Sequence, residues 1–301
     1  MAEALIEALI RPALVLMRGI SQLPRSFIKV FGAALGELTW LVASPRRRVA
    51  LANLQACFPQ LSQRERTALA RAHFRVFMTA FVECFFFWQA SPARIRARCE
   101  LLGLEHLEQA ERSGRPVIVL APHFVGLDAG GMRLQLERKL TGMYAHQKSA
   151  AFEALMTRGR ARFNGAILFA RNEGLRPVLK LMGQGYGLHF SPDMDLGARE
   201  AVFVPFFGVP AATVTSLARL ARATRARVLP MVTRMTDSGY VAQLYPAWTD
   251  YPGDDDEAAA LAMNRFIEAC VRQAPEQYLW THKRFKTRPP GAPGLYTGDG
   301  G

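Results

Sequence analysis

The chain has 301 residues, of which 50% are apolar and 19 are phenylalanine, and its formal net charge is +13. This length and apolar content are sufficient for one large or two small folded domains and argue against a disordered chain. An excess of basic residues on an apolar background suits two kinds of partner, an anionic membrane surface and a nucleic acid. The four cysteines are widely spaced without a C-x-x-C pair, which favours a reduced compartment and argues against a structural zinc site.

The first 60 residues contain two apolar runs separated by Pro24. Neither run reaches the ~18 uncharged apolar residues that mark a membrane-spanning helix. The second run could enter a bilayer obliquely if Lys29 reaches the headgroups and Glu37 is paired, and three arginines at 46–48 follow it as a basic flank of the cytoplasmic type. We therefore predict a helical, membrane-associated region over residues 1–60, with a pair of amphipathic core helices as the alternative.

The next predicted helix runs from Ser62 to Gln89. It begins with S-x-x-E, in which Ser62 and Glu65 can form a capping box. Its last turns, FVECFFFW, are more aromatic than an exposed helix needs. We interpret them as part of the core, with membrane contact or the wall of an apolar binding site as alternatives.

Beyond Gly114, short apolar strands alternate with helical stretches. Strands are predicted at 117–122, 142–146, 166–170, 186–190, 227–235 and 240–248. Helices are predicted at 127–140, 150–163, 174–182, 213–225 and 255–272. This alternation predicts an α/β fold with a largely parallel central sheet flanked by helices. The α/β domain should cover residues 61–288, and the tail at 289–301, rich in Pro and Gly, is predicted to be disordered.

A histidine followed five positions later by a carboxylate occurs twice, at His106 and Glu111 and at His123 and Asp128. Roughly half a match is expected by chance in this composition, so the H-x4-[DE] spacing alone is weak evidence. His106 lies in a polar, solvated helix. His123 directly follows a predicted buried strand and precedes a helix, which is where open α/β sheets bind their ligands. His123 and Asp128 are therefore the candidate catalytic pair.

Such a pair suits the transfer of an acyl group from a thioester to a hydroxyl. The alcohol has a pKa far above 7, so a neutral imidazole must act as the base that removes its proton. A carboxylate on the other ring nitrogen fixes the tautomer and stabilises the imidazolium. Asp128 lies one helical turn into the following segment and could fold back to do this. Glycines at 126, 130 and 131 would let a substrate approach the backbone.

Several segments, in consistent order, resemble the late acyltransferases of lipid A biosynthesis, which belong to the lysophospholipid acyltransferase superfamily. The segments are APHFVGLDAGG, RGRARFNGAILFAR, SPDMDLG, FVPFFGVPAATVTSLARLA and QYLWTHKRFKTRPP. The similarity spans about residues 25 to 290. By this resemblance His123 and Asp128 form the catalytic dyad of an HX4D motif, although many relatives carry Glu at the acidic position.

The resemblance also implies substrates and a location. The donor would be acyl-acyl carrier protein, the acceptor a hydroxyl of a lipid A precursor, and the site the cytoplasmic face of the bacterial inner membrane. No cofactor and no metal are expected. Glycerol-phosphate acyltransferases of the superfamily usually have Asn before the histidine and a later E-G-T-R-type block, whereas this chain has Pro122 and no such block. A glycerophospholipid acceptor is therefore disfavoured.

Four further residues are candidates for binding the acceptor. Arg171 ends the strand GAILFAR, at the superfamily position associated with the acceptor phosphate, and a planar guanidinium suits bidentate phosphate binding. For Arg160, which lies just upstream, function and surface charge are equal alternatives. Asp193 and Asp195 flank a family-like loop and could bind an acceptor sugar or support the site, with turn formation as an equal alternative.

Other functions remain open from the sequence. One is an acyltransferase of the same family with another glycolipid or an aminolipid as acceptor, and another is a basic membrane- or nucleic-acid-binding protein without catalysis. The sequence lacks the G-x-S-x-G of serine hydrolases and the phosphate loop of nucleotide enzymes. Its basic residues alternate with apolar runs and form no nucleic-acid recognition motif, so no nucleic-acid partner is expected.

Overall fold

The computed structural model describes residues 2–296, with side chains described from residue 11 onward. Its helices are α1 (Ala2–Ile20), α2 (Arg25–Val42), α3 (Ser44–Cys57), α4 (Gln63–Phe87), α5 (Pro92–Arg98), α6 (Leu104–Arg112), α7 (Leu127–Gln135), α8 (Ala150–Arg160), α9 (Arg176–Met182), α10 (Ser216–Thr224) and α11 (Asp256–Gln273). Its strands are β1 (Cys99–Leu102), β2 (Val117–Leu120), β3 (Leu140–Tyr144), β4 (Ile167–Ala170), β5 (Gly187–Phe190), β6 (Ala201–Phe206), β7 (Val209–Val214), β8 (Arg227–Met235) and β9 (Tyr240–Leu244).

Seven strands form one mixed sheet in the order β1-β9-β8-β2-β5-β3-β4. The five strands from β8 to β4 are mutually parallel. β9 runs antiparallel to β8, and β1 pairs in parallel with β9. β6 and β7 form a separate antiparallel hairpin. The prediction of an α/β fold with a largely parallel sheet flanked by helices is confirmed. The sequence did not predict the reversal at β9, which follows from a tight turn at residues 236–239.

Both faces of the sheet are covered, which explains why β2, VIVL, is buried along its whole length. One core lies between the sheet and helices that include α10 and α11. The other contains α7 and the aromatic end of α4, where Phe85, Phe86, Phe87 and Trp88 are all buried. The interpretation of this aromatic segment as core is confirmed, and so is the capping box, in which Ser62 and Glu65 exchange hydrogen bonds.

Helix α2 packs closely on α4 through two glycines one turn apart. A Cβ atom at Gly32 would lie 2.5 Å from the Cα of Thr79, and one at Gly36 would lie 2.6 Å from the carbonyl oxygen of Phe74. Glu37, which the sequence analysis expected to be paired if α2 enters a bilayer, forms ion pairs with Arg71 and Arg75 of α4. The docked face of α2 is therefore fixed, and its opposite face points away from α4.

The surface around α1 and α2 is unusually apolar. Eight large apolar side chains between residues 15 and 42 are exposed: Val15, Leu16, Leu23, Phe27, Val30, Leu38, Leu41 and Val42. Among the described helices, none is by itself both long and apolar enough to cross a membrane. Taken together α2 and α3 reach that length and apolar content, but they are bent by 94° where they meet.

The chain from residue 289 to residue 296, which the sequence predicts to be disordered, packs back onto the fold. The Tyr296 hydroxyl lies 2.5 Å from Oδ1 of Asn53 and accepts a hydrogen bond from the backbone N–H of Phe285. Leu295 and Tyr296 also contact the main core. Local composition did not reveal this packing because it depends on side chains far away in the sequence. Residues 297–301 of the predicted tail lie outside the described part of the chain.

Candidate active site

A cavity of about 670 Å³ opens at the carboxyl edge of the parallel strands. Its wall includes residues that follow four of these strands: His123 after β2, Ala145 after β3, Arg171 after β4 and Ser191 after β5. Parallel strands end at the same edge of a sheet, so loops far apart in sequence converge there. The prediction that His123 and Arg171 lie at the same end of the sheet is confirmed.

The loop that carries His123 is held by backbone hydrogen bonds on both sides. Ala121 donates to the carbonyl oxygen of Phe190 at 2.8 Å, which continues the pairing of β2 with β5. On the other side Val125 donates to the carbonyl oxygen of Gln277, and Leu279 donates to that of His123. The segment around residue 278 thus lies beside this loop and fixes the backbone of His123. In the sequence this segment stood out only because it resembles the acyltransferase family.

His123 is oriented by Asp193 in this structure. Oδ1 of Asp193 lies 2.6 Å from Nδ1 of His123, and its Oδ2 accepts the backbone N–H of the same residue at 2.9 Å. Burial of Asp193 favours its neutral form, but its interactions with the His123 ring and backbone outweigh burial and lower the pKa of the carboxyl. An ionised carboxylate on Nδ1 holds the proton there, which leaves Nε2 as the basic nitrogen.

Asp128, predicted to orient His123, contacts Arg160 instead. Nε and Nη2 of Arg160 donate hydrogen bonds to the two carboxylate oxygens of Asp128, both at 2.6 Å. Nε1 of Trp88 donates a third hydrogen bond, to Oδ1, at 3.2 Å. Burial opposes ionisation of Asp128, but the Arg160 guanidinium overcomes it and lowers the pKa of the carboxyl. The expected contact between Asp128 and the His123 ring is thus replaced by a forked ion pair between α7 and α8.

The rotation of α7 explains this difference. Gly126 and Gly130 face β8, and a Cβ atom at Gly130 would lie 1.9 Å from Oγ1 of Thr233. Position 128 is about 200° around the helix from both glycines, so Asp128 points away from β8 and toward α8. The glycines at 126 and 130 therefore serve helix-to-strand packing and not the close approach of a substrate. Gly131, by contrast, lines the cavity as predicted.

The other candidate residues have different environments. Arg171 and Arg160 both line the cavity, and Arg171 has no side-chain partner among the described residues. Asp195 is buried and does not line the cavity. Its carboxylate accepts the backbone N–H and the hydroxyl of Thr287, at 2.7 and 2.8 Å. Asp195 thus fastens its loop to the C-terminal segment, and its Oδ1 also accepts the backbone N–H of Gly197 at 2.9 Å. It therefore both supports the site and forms a turn, two of the three roles that the sequence left open.

Two residues of the cavity wall had no signal in the sequence. His189 lies within β5 and Gln135 ends α7, where an isolated polar residue carries no motif. Burial lowers the pKa of His189 to about 4, so its ring is neutral near pH 7. Arg199, six residues after Asp193, also lines the cavity. His189 and Gln135 reach the site only because β5 and α7 pack around the same cavity.

Comparison with known protein families gives one match across nearly the whole chain. The sequence profile of the family described as bacterial lipid A biosynthesis acyltransferase matches residues 3–287. A lipid A biosynthesis palmitoleoyltransferase of Escherichia coli (strain K12) is 36% identical over 91% of this chain and 90% of its own. The lipid A biosynthesis lauroyltransferase of the same organism is 33% identical over 92% of this chain and 91% of its own. The myristoyltransferase of that organism is 34% identical over 91% of this chain and 86% of its own. These three relatives carry different acyl chains in their names, so overall identity does not select among acyl chains.

Proposed function

The chain belongs to the bacterial lipid A biosynthesis acyltransferase family, and on that premise we propose that it transfers a fatty acyl group from acyl-acyl carrier protein to a hydroxyl of a lipid A precursor. The observation that carries the proposal is the position of His123 at the edge of the cavity, where Asp193 orients its ring and leaves Nε2 available. The same cavity is lined by Arg171, whose side chain has no partner among the described residues. Such a site joins a general base to space for an acyl chain and a group that binds anions.

In the proposed mechanism His123 acts as general base in a direct transfer. Nε2 removes the proton of the acceptor hydroxyl as its oxygen attacks the thioester carbonyl carbon. The carbon–sulfur bond then breaks, and the imidazolium returns the proton to the departing thiolate. Within residues 11–296 no Ser or Cys side chain is hydrogen bonded to His123, which favours direct transfer over an acyl-enzyme. Asp128 contributes through Arg160, because their ion pair joins α7 to α8 at the cavity wall.

The proposed location is the cytoplasmic face of the inner membrane. The exposed apolar face of α2 includes Phe27 and Val30, which are 50% and 72% exposed, and basic residues at 46–48 follow it. An apolar helix face flanked by arginines suits insertion between acyl chains with the cations at the headgroups. A membrane-bound enzyme would receive its lipid acceptor directly from the bilayer.

The donor is tested by comparing two thioesters with one acyl chain. Acyl carrier proteins are acidic, and the chain carries a net charge of +13, so encounter should be favoured by long-range attraction. We expect product from acyl-acyl carrier protein and a lipid A precursor, identified by mass spectrometry. The kcat/KM of that donor should fall more steeply with added salt than the kcat/KM of the coenzyme A thioester. Equal salt dependence would contradict a charged docking surface for the carrier protein, and absence of the acylated product would contradict the proposed function.

The acceptor contact is tested at Arg171. Its guanidinium lines the cavity after β4, apart from the reacting hydroxyl, so it should bind an anionic group equally in the ground and transition states. Arg171→Ala should therefore raise the KM for the acceptor about tenfold or more and change kcat little. Arg171→Lys should restore binding only in part because the forked geometry is lost.

Arg176→Ala is the matched control for this experiment. Arg176 begins α9, five residues further on, and does not line the cavity. Steady-state kinetics with varied acceptor should leave the control close to the unaltered enzyme. A loss of kcat at constant KM in Arg171→Ala would mean that Arg171 acts in the transition state instead.

A further inference from the structure

A segment near the C-terminus, residues 277–287, joins the loop of His123 to the loop after β5, and we call it the clasp segment. Leu279 donates its backbone N–H to the carbonyl oxygen of His123 at 3.0 Å. Further along, Nε2 of His282 accepts the backbone N–H of Asp195, also at 3.0 Å. Burial lowers the pKa of His282 to about 4, so its ring is neutral near pH 7 and can accept on this nitrogen. The clasp segment is therefore bonded both to the loop of the base and to the loop of its carboxylate partner.

The clasp segment is held in turn by Asn53, a residue of α3. Nδ2 of Asn53 donates to the carbonyl oxygens of Trp280 and His282, both at 2.7 Å. Its Oδ1 lies 2.5 Å from the Tyr296 hydroxyl, so the whole amide group is paired. Asn53 is only 1% exposed, and bulk water cannot replace these bonds if the side chain is removed.

Arg46 adds a third bond from the same helix. Its Nη1 donates to the carbonyl oxygen of Thr281 at 3.1 Å. Three successive carbonyl oxygens of the clasp segment, at residues 280–282, thus accept hydrogen bonds from side chains of α3. A stretch of backbone whose acceptors are all bonded to one helix has little freedom to shift. The N-terminal region, for which the sequence predicts membrane association, is therefore joined to the framework of the active site.

We propose that Asn53 is a positioning residue for acyl transfer, which acts through the clasp segment to keep His123 and Asp193 in register. These two residues lie 70 positions apart, on different loops, and share one short hydrogen bond of 2.6 Å. A misplacement of about 1 Å at a catalytic group can cost on the order of 100-fold in rate. This inference rests on the proposed function and adds a residue of the N-terminal region, which no local motif around His123 includes.

Asn53→Ala should lower kcat about tenfold to 100-fold and leave the KM values for donor and acceptor within about threefold. Asn53 does not line the cavity, so the substrates lose no contact, whereas the loop of His123 loses support. Asn53→Asp keeps the shape but removes both donated hydrogens, and it should lower kcat at least as much. Steady-state kinetics of the full chain in detergent, with acyl-acyl carrier protein and a lipid A precursor, measures these values, and circular dichroism verifies folding.

Coupling to Asp193 separates positioning from a purely structural role. If Asn53 acts through the contact between His123 and Asp193, its loss matters little once that contact is gone. Asn53→Ala added to Asp193→Asn should then lower kcat less than about threefold further, measured by single-turnover kinetics. An equal fold loss in both backgrounds, or an unchanged kcat in Asn53→Ala alone, would overturn the proposal.

Asn264→Ala is the matched control, because Asn264 is also a fully buried asparagine. Its Nδ2 donates to the carbonyl oxygen of Pro205 at 3.0 Å and to Oγ1 of Thr213 at 3.1 Å. Arg284 of the clasp segment donates to its Oδ1 at 3.3 Å, but Asn264 has no described bond to residues 279–282, which reach the two loops. The control should lower the melting temperature about as much as Asn53→Ala and keep kcat within about threefold.

Arg46→Met tests the same proposal with an exposed residue, in case the Asn53 variants do not fold. Loss of the bond to Thr281 should lower kcat about threefold to tenfold. Arg47→Met removes the same charge at the next position, where the guanidinium bonds to the carbonyl oxygen of Trp40, and it corrects for the lost charge. An equal kcat for these two variants would then overturn the proposal. Product formation by the unaltered enzyme tests the proposed function separately.

Discussion

Asp193→Asn is expected to lower kcat on the order of 10³- to 10⁴-fold while the KM values for donor and acceptor change little. The backbone N–H of His123 requires an acceptor, so the asparagine oxygen should stay on it and the amide group should face Nδ1. An amide that donates to Nδ1 forces the proton onto Nε2, which can then no longer accept the proton of the acceptor hydroxyl. Because Asp193 does not line the cavity, substrate binding should be nearly unaffected.

His123→Ala removes the base itself, so its loss in kcat should equal or exceed that of Asp193→Asn, on the order of 10⁴-fold. Asp195→Asn is the matched control, since it makes the same change two residues away, where the carboxylate contacts Thr287 and not His123. The control should lower the melting temperature and keep kcat within about tenfold. Single-turnover kinetics of the three variants, with circular dichroism to verify folding, would measure these effects. Near-normal turnover in Asp193→Asn or His123→Ala would remove that residue from the mechanism.

Arg160→Met is expected to destabilise the protein by about 2 kcal/mol, because it leaves the partly buried carboxylate of Asp128 without its cation. The Trp88 indole and the Cys84 thiol would remain hydrogen bonded to Asp128, but two neutral donors stabilise a carboxylate less than a guanidinium does. Asp128→Asn in the same chain should recover part of the loss, since the uncompensated charge is then removed. Chemical denaturation of the two single variants and the double variant measures this coupling.

Arg158→Met is the control for the ion pair. Arg158 lies on the same helix, is exposed and has no partner among the described residues, so its replacement should change the free energy of unfolding by less than about 0.5 kcal/mol. If Arg160→Met were no more destabilising than this control, the pair between α7 and α8 would contribute nothing to the fold. Asp128→Asn also tests whether the acidic residue of the HX4D motif orients His123. Because Asp193 and not Asp128 contacts the His123 ring, kcat should fall less in Asp128→Asn than in Asp193→Asn.

The sequence by itself determined the features that depend on neighbouring residues. The capping box of Ser62 and Glu65 and the bounds of β8 at residues 227–235 were predicted as observed. The placement of His123 and Arg171 at one edge of the sheet also followed from the sequence, because each directly follows a strand of the same parallel set. Periodicity and local hydrogen bonding act over a few residues, so a single chain segment contains the information for them.

Only the tertiary structure decided which carboxylate meets His123. Asp128 was favoured because it is five residues away, yet Asp193, 70 residues away, makes the contact. The reason is that β5 pairs directly with β2, so the segment after β5 lies beside the loop after β2, while the glycines of α7 turn Asp128 toward Arg160. Sheet order and helix rotation are set by packing across the whole domain. The same packing brings Gln135 and His189 together at one cavity, although nothing in their local sequence marks either residue.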